Sequence, residues 1–282
     1  MNLHLPPIHS GIRSRVLDFT VFWIILLAAA PHAFAQSAET TQLTGIAQAD
    51  TLIAQVAPYP GASGQVLKGA THDLALLDIR TFTLKSAIML SGKPDTADEL
   101  LIIKEGELNL TIRDSTFNFV PGSVALIPTG ISYSLEAKQS TWFRLRFRSR
   151  QAPRTPLSAT GTAPYSVARS PAAPFILRWP DMPVQHTAKG ESRQIFSLPT
   201  CWLSKIDLHA TTLNPGEVSH PPHIHRSEEI ILMRTGHVQE YINGNHYPAN
   251  SGDLIFLPSG NPHALENHGT TRAEYFALQW EL

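Results

Sequence analysis

The sequence predicts an all-β protein built from two tandem barrels of the jelly-roll type, for three reasons. First, one spacing of glutamate, glycine and proline residues occurs in both halves of the chain. Second, short apolar segments alternate with turns rich in Gly, Pro and Asn, and the 22 prolines favour strands and loops over long helices. Third, 282 residues, 43% of them hydrophobic, can fill two cores.

The repeat is the main argument for two domains. Glu99 and Gly106 correspond to Glu229 and Gly236, so both pairs are separated by roughly 130 positions. The same offset relates Gly122, Pro128 and Gly130 to Gly252, Pro258 and Gly260. Because solenoid repeats recur about every 20–50 residues, this longer period indicates a duplicated domain.

Residues 1–35 are predicted to be a secretory signal peptide. Arg13 and Arg15 precede a short apolar run that ends in an Ala-Phe-Ala cleavage pattern, which makes Gln36 the first mature residue. The run is too short to cross a bilayer, which needs about 20 apolar residues. We therefore expect an exported protein, periplasmic or secreted, with no membrane span after cleavage.

Composition divides the remaining chain into four segments. We expect an N-terminal extension over residues 36–65, a first barrel over 66–150, a linker rich in Pro, Ala, Ser and Thr over 151–180, and a second barrel over 181–282. A single cysteine excludes an internal disulfide. A formal net charge of -1 provides no basic face, so nucleic acid is not an expected partner.

The second copy contains a predicted metal site. His223 and His225 share one face of a strand because alternate residues point the same way, and Glu229 keeps that face if the strand continues. His263 follows the turn at Pro258 and can enter from a neighbouring strand. Three imidazoles and one carboxylate suit one divalent transition metal, such as Mn, Fe, Co, Ni, Cu or Zn, and leave about two coordination positions for a ligand.

These residues form two motifs: H-x-H, three residues, E, six residues, G; and G, five residues, P-x-G, two residues, H, three residues, N. The pattern resembles the two conserved motifs of the cupin superfamily and matches them at every position. Together with the repeat, the resemblance covers about residues 66–282. It implies a two-domain cupin, or bicupin, whose second double-stranded β-helix barrel binds metal through His223, His225, Glu229 and His263.

The first copy lacks this ligand set. With an offset of 130, the histidines are replaced by Lys93, Asp95 and Tyr133, and only Glu99 keeps its type. We therefore predict a first barrel that binds no metal. The alternative is a barrel that binds a small molecule through Lys93 or Tyr133.

The strand after Glu229 is apolar on both faces. Ile231 and Met233 would line the pocket beside Glu229, whereas Ile230 and Leu232 would point the other way. A sheet that is apolar on both faces needs a cover on both faces. That cover is either the other barrel or a second subunit in a homodimer.

An open metal site favours an enzyme that acts on a small molecule. The resemblance implies first a dioxygenase-like oxidoreductase, then an isomerase or lyase; the alternative is a non-catalytic cupin that binds metal, a sugar or an organic acid. Ureidoglycine aminohydrolases use a different ligand order, so their activity is not expected. No general acid or base is evident beyond the ligands, because the nearest spare carboxylates, Glu228 and Glu240, are interpreted as solvated strand residues. His220 is interpreted as a residue that either supports the ligands from behind or lies at the rim of the site.

Overall fold

The computed structural model describes residues 55–56, 62–85, 88–92, 96–153 and 173–282. The predicted signal peptide, most of the predicted extension and most of the predicted linker lie outside these residues, as do Lys93 and Asp95. No helix within the described residues is long and apolar enough to cross a bilayer.

The first barrel is built on a nine-stranded sheet in which β1, β2, β3, β8, β5, β7 and β9 are neighbours in that order, while β4 pairs with β8 and β6 with β5. Its strands are β1 (Gln55–Val56), β2 (Ala62–Gly69), β3 (Leu74–Leu84), β4 (Ile88–Gly92), β5 (Asp98–Ile112), β6 (Ser115–Phe119), β7 (Val124–Ile127), β8 (Tyr133–Ser149) and β9 (Phe175–Leu177). The long strands β5 and β8 pair with each other over most of their length.

The second barrel follows a 3₁₀ helix at Trp179–Asp181 and has two sheets, ordered β10-β11-β12-β18-β13-β16 and β15-β14-β17. Its strands are β10 (Gln185–Thr187), β11 (Gly190–Leu198), β12 (Lys205–Leu213), β13 (Glu228–Thr235), β14 (His237–Ile242), β15 (Asn245–Asn250), β16 (Leu254–Leu257), β17 (His263–Glu266) and β18 (Ala273–Glu281). The architecture is therefore all-β, with two tandem barrels as predicted.

Two strands of the first barrel extend beyond the boundaries predicted for that domain. β2 begins at Ala62, before the predicted start of the first barrel at residue 66. β9 lies within the segment predicted as a linker and pairs with β7 of the first barrel. Part of the connection is thus hydrogen-bonded to the first barrel.

The apolar residues form three clusters: one inside each barrel and a third, larger one to which both barrels contribute. Ile231 and Met233 lie in the interior of the second barrel. Ile230 and Leu232 lie in the shared cluster. The predicted two-faced burial of β13 is confirmed, and the first barrel of the same chain provides the outer cover.

Candidate metal centre

An isolated bridge, and not the predicted continuous strand from His223 to Glu229, positions the first histidine of the site, because β13 begins only at Glu228. His223 and His263 form an isolated antiparallel bridge in which each backbone N–H donates to the other's carbonyl, at 3.2 and 3.1 Å. Residues paired in this way project to the same side of a sheet. The bridge therefore aligns the two imidazoles, although the residues are 40 positions apart in the chain.

The three predicted histidine ligands converge. His223, His225 and His263 each offer a ring nitrogen, and these atoms lie within 4.8 Å of one another. Their ring centroids are separated by 4.6 to 5.2 Å. Burial increases across the set, since His223 is exposed, His225 half-buried and His263 buried. One side of the cluster is therefore accessible to a ligand.

Glu229 lies against two of these imidazoles. Its Oε2 is 3.0 Å from His225 Nε2 and 3.4 Å from His263 Nε2, the second contact lacking hydrogen-bond geometry. Burial opposes ionisation of Glu229, but His225 and His263 outweigh it and lower its pKa to about 2. The carboxylate is therefore charged at neutral pH and directed at the imidazoles.

The outer ring nitrogens fix the orientation of two histidines. His225 Nδ1 lies 2.7 Å from the carbonyl oxygen of Ser227, and His263 Nδ1 lies 2.8 Å from that of Asn261. A carbonyl only accepts, so both Nδ1 atoms carry the proton and Nε2 faces the cluster. His263 Nε2 is buried and has no hydrogen-bond partner in the described part of the chain, and a bound metal would satisfy this atom. The donor set thus fits a divalent transition metal.

His220 lies directly beside the ligand cluster, which agrees with the predicted alternative of a supporting residue. Its ring centroid is 4.0 Å from that of His223 and 6.0 Å from that of His263. Burial, together with the other imidazoles, lowers the pKa of both His220 and His223, so both favour the neutral form. His220 therefore supports the ring of His223 on the exposed side.

The interpretation of Glu228 and Glu240 as solvated residues was wrong, since each is only 1% exposed. Glu228 lies on the face of β13 that is directed at the apolar cluster shared by the two barrels, and it accepts hydrogen bonds from the backbone of the first barrel. Glu240 points into the second barrel, and neither of its carboxyl oxygens has a hydrogen-bond partner among the residues that the structure describes. The alternation of residues along β14 predicts which face of the strand carries Glu240, but it does not predict what covers that face.

Glu240 belongs to the same interior as the metal cluster. It pairs with Leu265, two residues from His263 on β17, and diagonal neighbours in such a ladder lie about 7–8 Å apart. Burial, assisted by the negative charge of Glu229, raises the pKa of Glu240 to about 9. The second barrel therefore contains a protonated carboxyl near its imidazoles at neutral pH.

The corresponding place in the first barrel is filled by a phenol. Tyr133 Oη donates to Glu99 Oε2 at 2.6 Å, and Arg146 Nε lies 3.2 Å from Glu99 Oε1. Tyr133 pairs with Gly92, as His263 pairs with His223, so the register relates His223 to Gly92 and not to Lys93. The offset of 130 was wrong by one residue at this point.

A family profile described as a cupin domain matches residues 210–278, which contain all four predicted ligands. The chain belongs to the cupin superfamily. Among solved structures, this cupin is similar to AerE from Microcystis aeruginosa, with a TM-score of 0.60, 11% identity and coverage of 84% of this chain and 99% of that one. It is also similar to a mutant of Bacillus subtilis oxalate decarboxylase, with a TM-score of 0.63, 14% identity and coverage of 86% and 79%.

The similarity in sequence also extends to an enzyme. The cupin is 23% identical over 186 residues to (S)-ureidoglycine aminohydrolase from Arabidopsis thaliana, and the match covers 64% of this chain. It spans only 57% of that enzyme's length. At these identities the likenesses establish the fold alone.

Proposed function

We propose that this cupin is a metal-dependent enzyme that acts on a small organic substrate inside its second barrel. The convergence of His223, His225 and His263, with Glu229 against two of them, carries the proposal. Four protein donors leave about two positions of an octahedral ion for substrate. Bound Mn, Fe, Ni, Cu or Zn would supply Lewis-acid polarisation of a substrate oxygen.

Glu240 supplies the second part of the chemistry. A buried carboxyl that is protonated at neutral pH can donate a proton to a substrate and recover it in a later step. The apolar walls formed by Ile231 and Met233 exclude water from that exchange. This pairing favours proton-transfer reactions, such as an isomerase or lyase reaction on a small carbonyl or carboxylic acid compound.

A dioxygenase-like reaction is the second candidate. The ligand set of three histidines and one glutamate, beside an apolar wall, supports it. The two candidates differ in one measurable respect, since a dioxygenase consumes dioxygen and an isomerase or lyase reaction can proceed without it. Oxalate decarboxylase and ureidoglycine aminohydrolase are both, by name, enzymes of small organic molecules, which supports catalysis over simple binding.

The test combines metal analysis with product detection. The protein purified from its native compartment is analysed for metal, then incubated with small hydroxy, keto and dicarboxylic acids and with enolic and phenolic compounds, while dioxygen is followed with an electrode. We expect a stoichiometric metal and a product that is lost on chelation and in His263→Ala. No stoichiometric metal, or no product from any compound in air or under nitrogen, would overturn the proposal of an enzyme.

Glu240→Gln separates proton transfer from metal binding. The amide keeps the size of the side chain but cannot exchange a proton, so we expect normal metal content with turnover reduced at least tenfold and an altered pH profile. Unchanged turnover in Glu240→Gln would remove Glu240 from the mechanism.

We also infer that the protein is exported. Arg13, Arg15, the apolar run and the Ala-Phe-Ala pattern support a cleaved signal peptide. Fractionation of native cells and N-terminal sequencing test this, with Gln36 expected as the first residue. A cytoplasmic protein that retains residues 1–35 would contradict it.

A further inference from the structure

The interior of the first barrel carries positive charge where the second barrel carries none. Arg144 on β8 corresponds to Ala277 on β18. Their strand partners, Leu101 on β5 and Ile231 on β13, are equivalent positions of the repeat. The same ladders relate Arg146 to Gln279. Duplication has thus produced one barrel suited to a cation and another with arginines on the equivalent face.

Two of the arginines on this face are neutralised within the barrel. Arg146 lies 3.2 Å from Glu99, and Arg80 lies 3.1 Å from Asp78. Arg144 is different: within the described residues it has no carboxylate partner, and its buried Nε donates no hydrogen bond. A half-buried guanidinium without a counterion costs free energy, which a bound anion would recover.

Arg144 lines a small cavity beside an aromatic wall. The cavity volume is about 60 Å³, it is partly open to solvent, and its lining includes Phe82, Ser91, Tyr133 and Trp142. The rings of Phe82 and Trp142 stack at 5.4 Å, and the Arg144 guanidinium carbon lies 4.8 Å above the Phe82 ring. The ring contact holds the guanidinium in place while its N–H groups remain available.

We propose that this cavity binds a small organic carboxylate, held by Arg144 and packed against Phe82 and Trp142. A guanidinium matches a carboxylate in shape and can donate two parallel hydrogen bonds to it. A single uncompensated positive charge suits a monoanion better than a phosphate dianion. By the same volume measure one water needs roughly 10–15 Å³, so a carboxyl group fits with a few further atoms at the open side.

This inference is independent of the proposed function, because Tyr133, hydrogen-bonded to Glu99, stands in the first barrel where the second barrel has the predicted ligand His263. The experiment must nevertheless exclude binding at the second barrel, where an open metal also attracts carboxylates. Chelator-treated protein carrying His263→Ala is therefore titrated by calorimetry with sodium propionate and sodium benzoate. Sodium chloride at equal ionic strength is the reference.

We expect saturable binding of at least one carboxylate, with affinity reduced about tenfold or more by Arg144→Ala, which removes a charge-assisted hydrogen bond. Arg178→Ala is the matched control, because it removes the same charge from an exposed ion pair with Asp181 and should bind normally. If Arg144→Ala does not fold, Arg144→Gln, checked by circular dichroism, replaces it.

Three results would overturn the proposal. These are equal affinity in the folded Arg144 variants and the control, binding that requires metal and an intact His263, and no saturable heat with either carboxylate above the chloride reference. Binding that survives chelation and His263→Ala but is lost with Arg144 would assign the site to the first barrel.

Discussion

Asp98 and Glu228 occupy equivalent positions, 130 residues apart, and each is connected to the opposite barrel. Glu228 accepts hydrogen bonds from the backbone N–H of His72, at 2.9 Å, and from the side chain of Thr71. Asp98 accepts a hydrogen bond from the hydroxyl of Thr129, at 2.9 Å. The same hydroxyl accepts a hydrogen bond from the indole N–H of Trp202 in the second barrel. Both carboxyls are 1% exposed. The duplication thus supplies a polar connection in each direction beside the shared apolar cluster.

Glu228→Ala should strongly destabilise the protein. It leaves Thr71, the His72 N–H and the Trp280 indole without their acceptor in a buried place, at a cost of roughly 3 kcal/mol or more in free energy of unfolding. Urea unfolding measures this. Glu136→Ala, an exposed position on β8, should stay within about 0.5 kcal/mol of the parent. Similar losses in the two variants would contradict the importance of the connection.

Gly92 should be energetically coupled to Tyr133. A Cβ at residue 92 would lie 1.9 Å from the Tyr133 ring, so Gly92→Ala should cost about 1–3 kcal/mol through overpacking. In a Tyr133→Ala background the same change should cost much less, whereas Tyr133→Phe keeps the ring and should keep the penalty. Unfolding free energies of the double-mutant cycle measure the coupling. Additive effects of Gly92→Ala and Tyr133→Ala would contradict the ring contact.

Glu240 should make stability fall with rising pH. Its pKa is about 9 when folded against an ordinary value of 4.5, so the folded state binds more protons between these values and loses stability as pH increases. Glu240→Gln should flatten this dependence and raise the melting temperature at pH values near 8 and 9. Melting curves of both proteins, free of metal, from acidic to alkaline pH provide the measurement. Parallel curves would show that Glu240 is not buried in its protonated form.

Metal should stabilise the protein through the histidine cluster. Divalent transition metal at about 100 times its dissociation constant should add about 2.7 kcal/mol to the free energy of unfolding. His263→Ala should abolish the gain, whereas His268→Ala, which removes a partly exposed histidine paired with Glu266, should retain it. The pKa of His225 is raised by its hydrogen bond to Glu229, so protons compete and the gain should shrink at acidic pH. Equal gains in both variants would place the metal elsewhere.

Several features of the site were predictable because they depend on local spacing. Alternation along a strand predicts that Ile231 follows Glu229 into the barrel while Ile230 faces away. Ile231 does lie inside the second barrel, and Ile230 lies in the cluster shared by the two barrels. The turn between Pro258 and His263 predicts a neighbouring strand start, which the bridge between His223 and His263 provides. These predictions required only the period of two along a strand and the recurrence of two motifs.

Other features depend on segments that are distant in the sequence. The offset of 130 assigns Lys93 to the position of His223, but the ladder with Tyr133 selects Gly92, because pairing depends on the partner strand. The burial of Glu240 depends on which strands close over β14, which composition does not reveal.

The sequence by itself determined a duplicated β fold and a set of three histidines and one glutamate, because turn residues and alternating side chains act over a few positions. Only the tertiary structure decided that Glu240 is a buried acid and that Arg144 lacks a counterion among the described residues. The physical reason is that burial and charge pairing depend on what lies opposite a residue in space, and these neighbours come from strands tens of residues away.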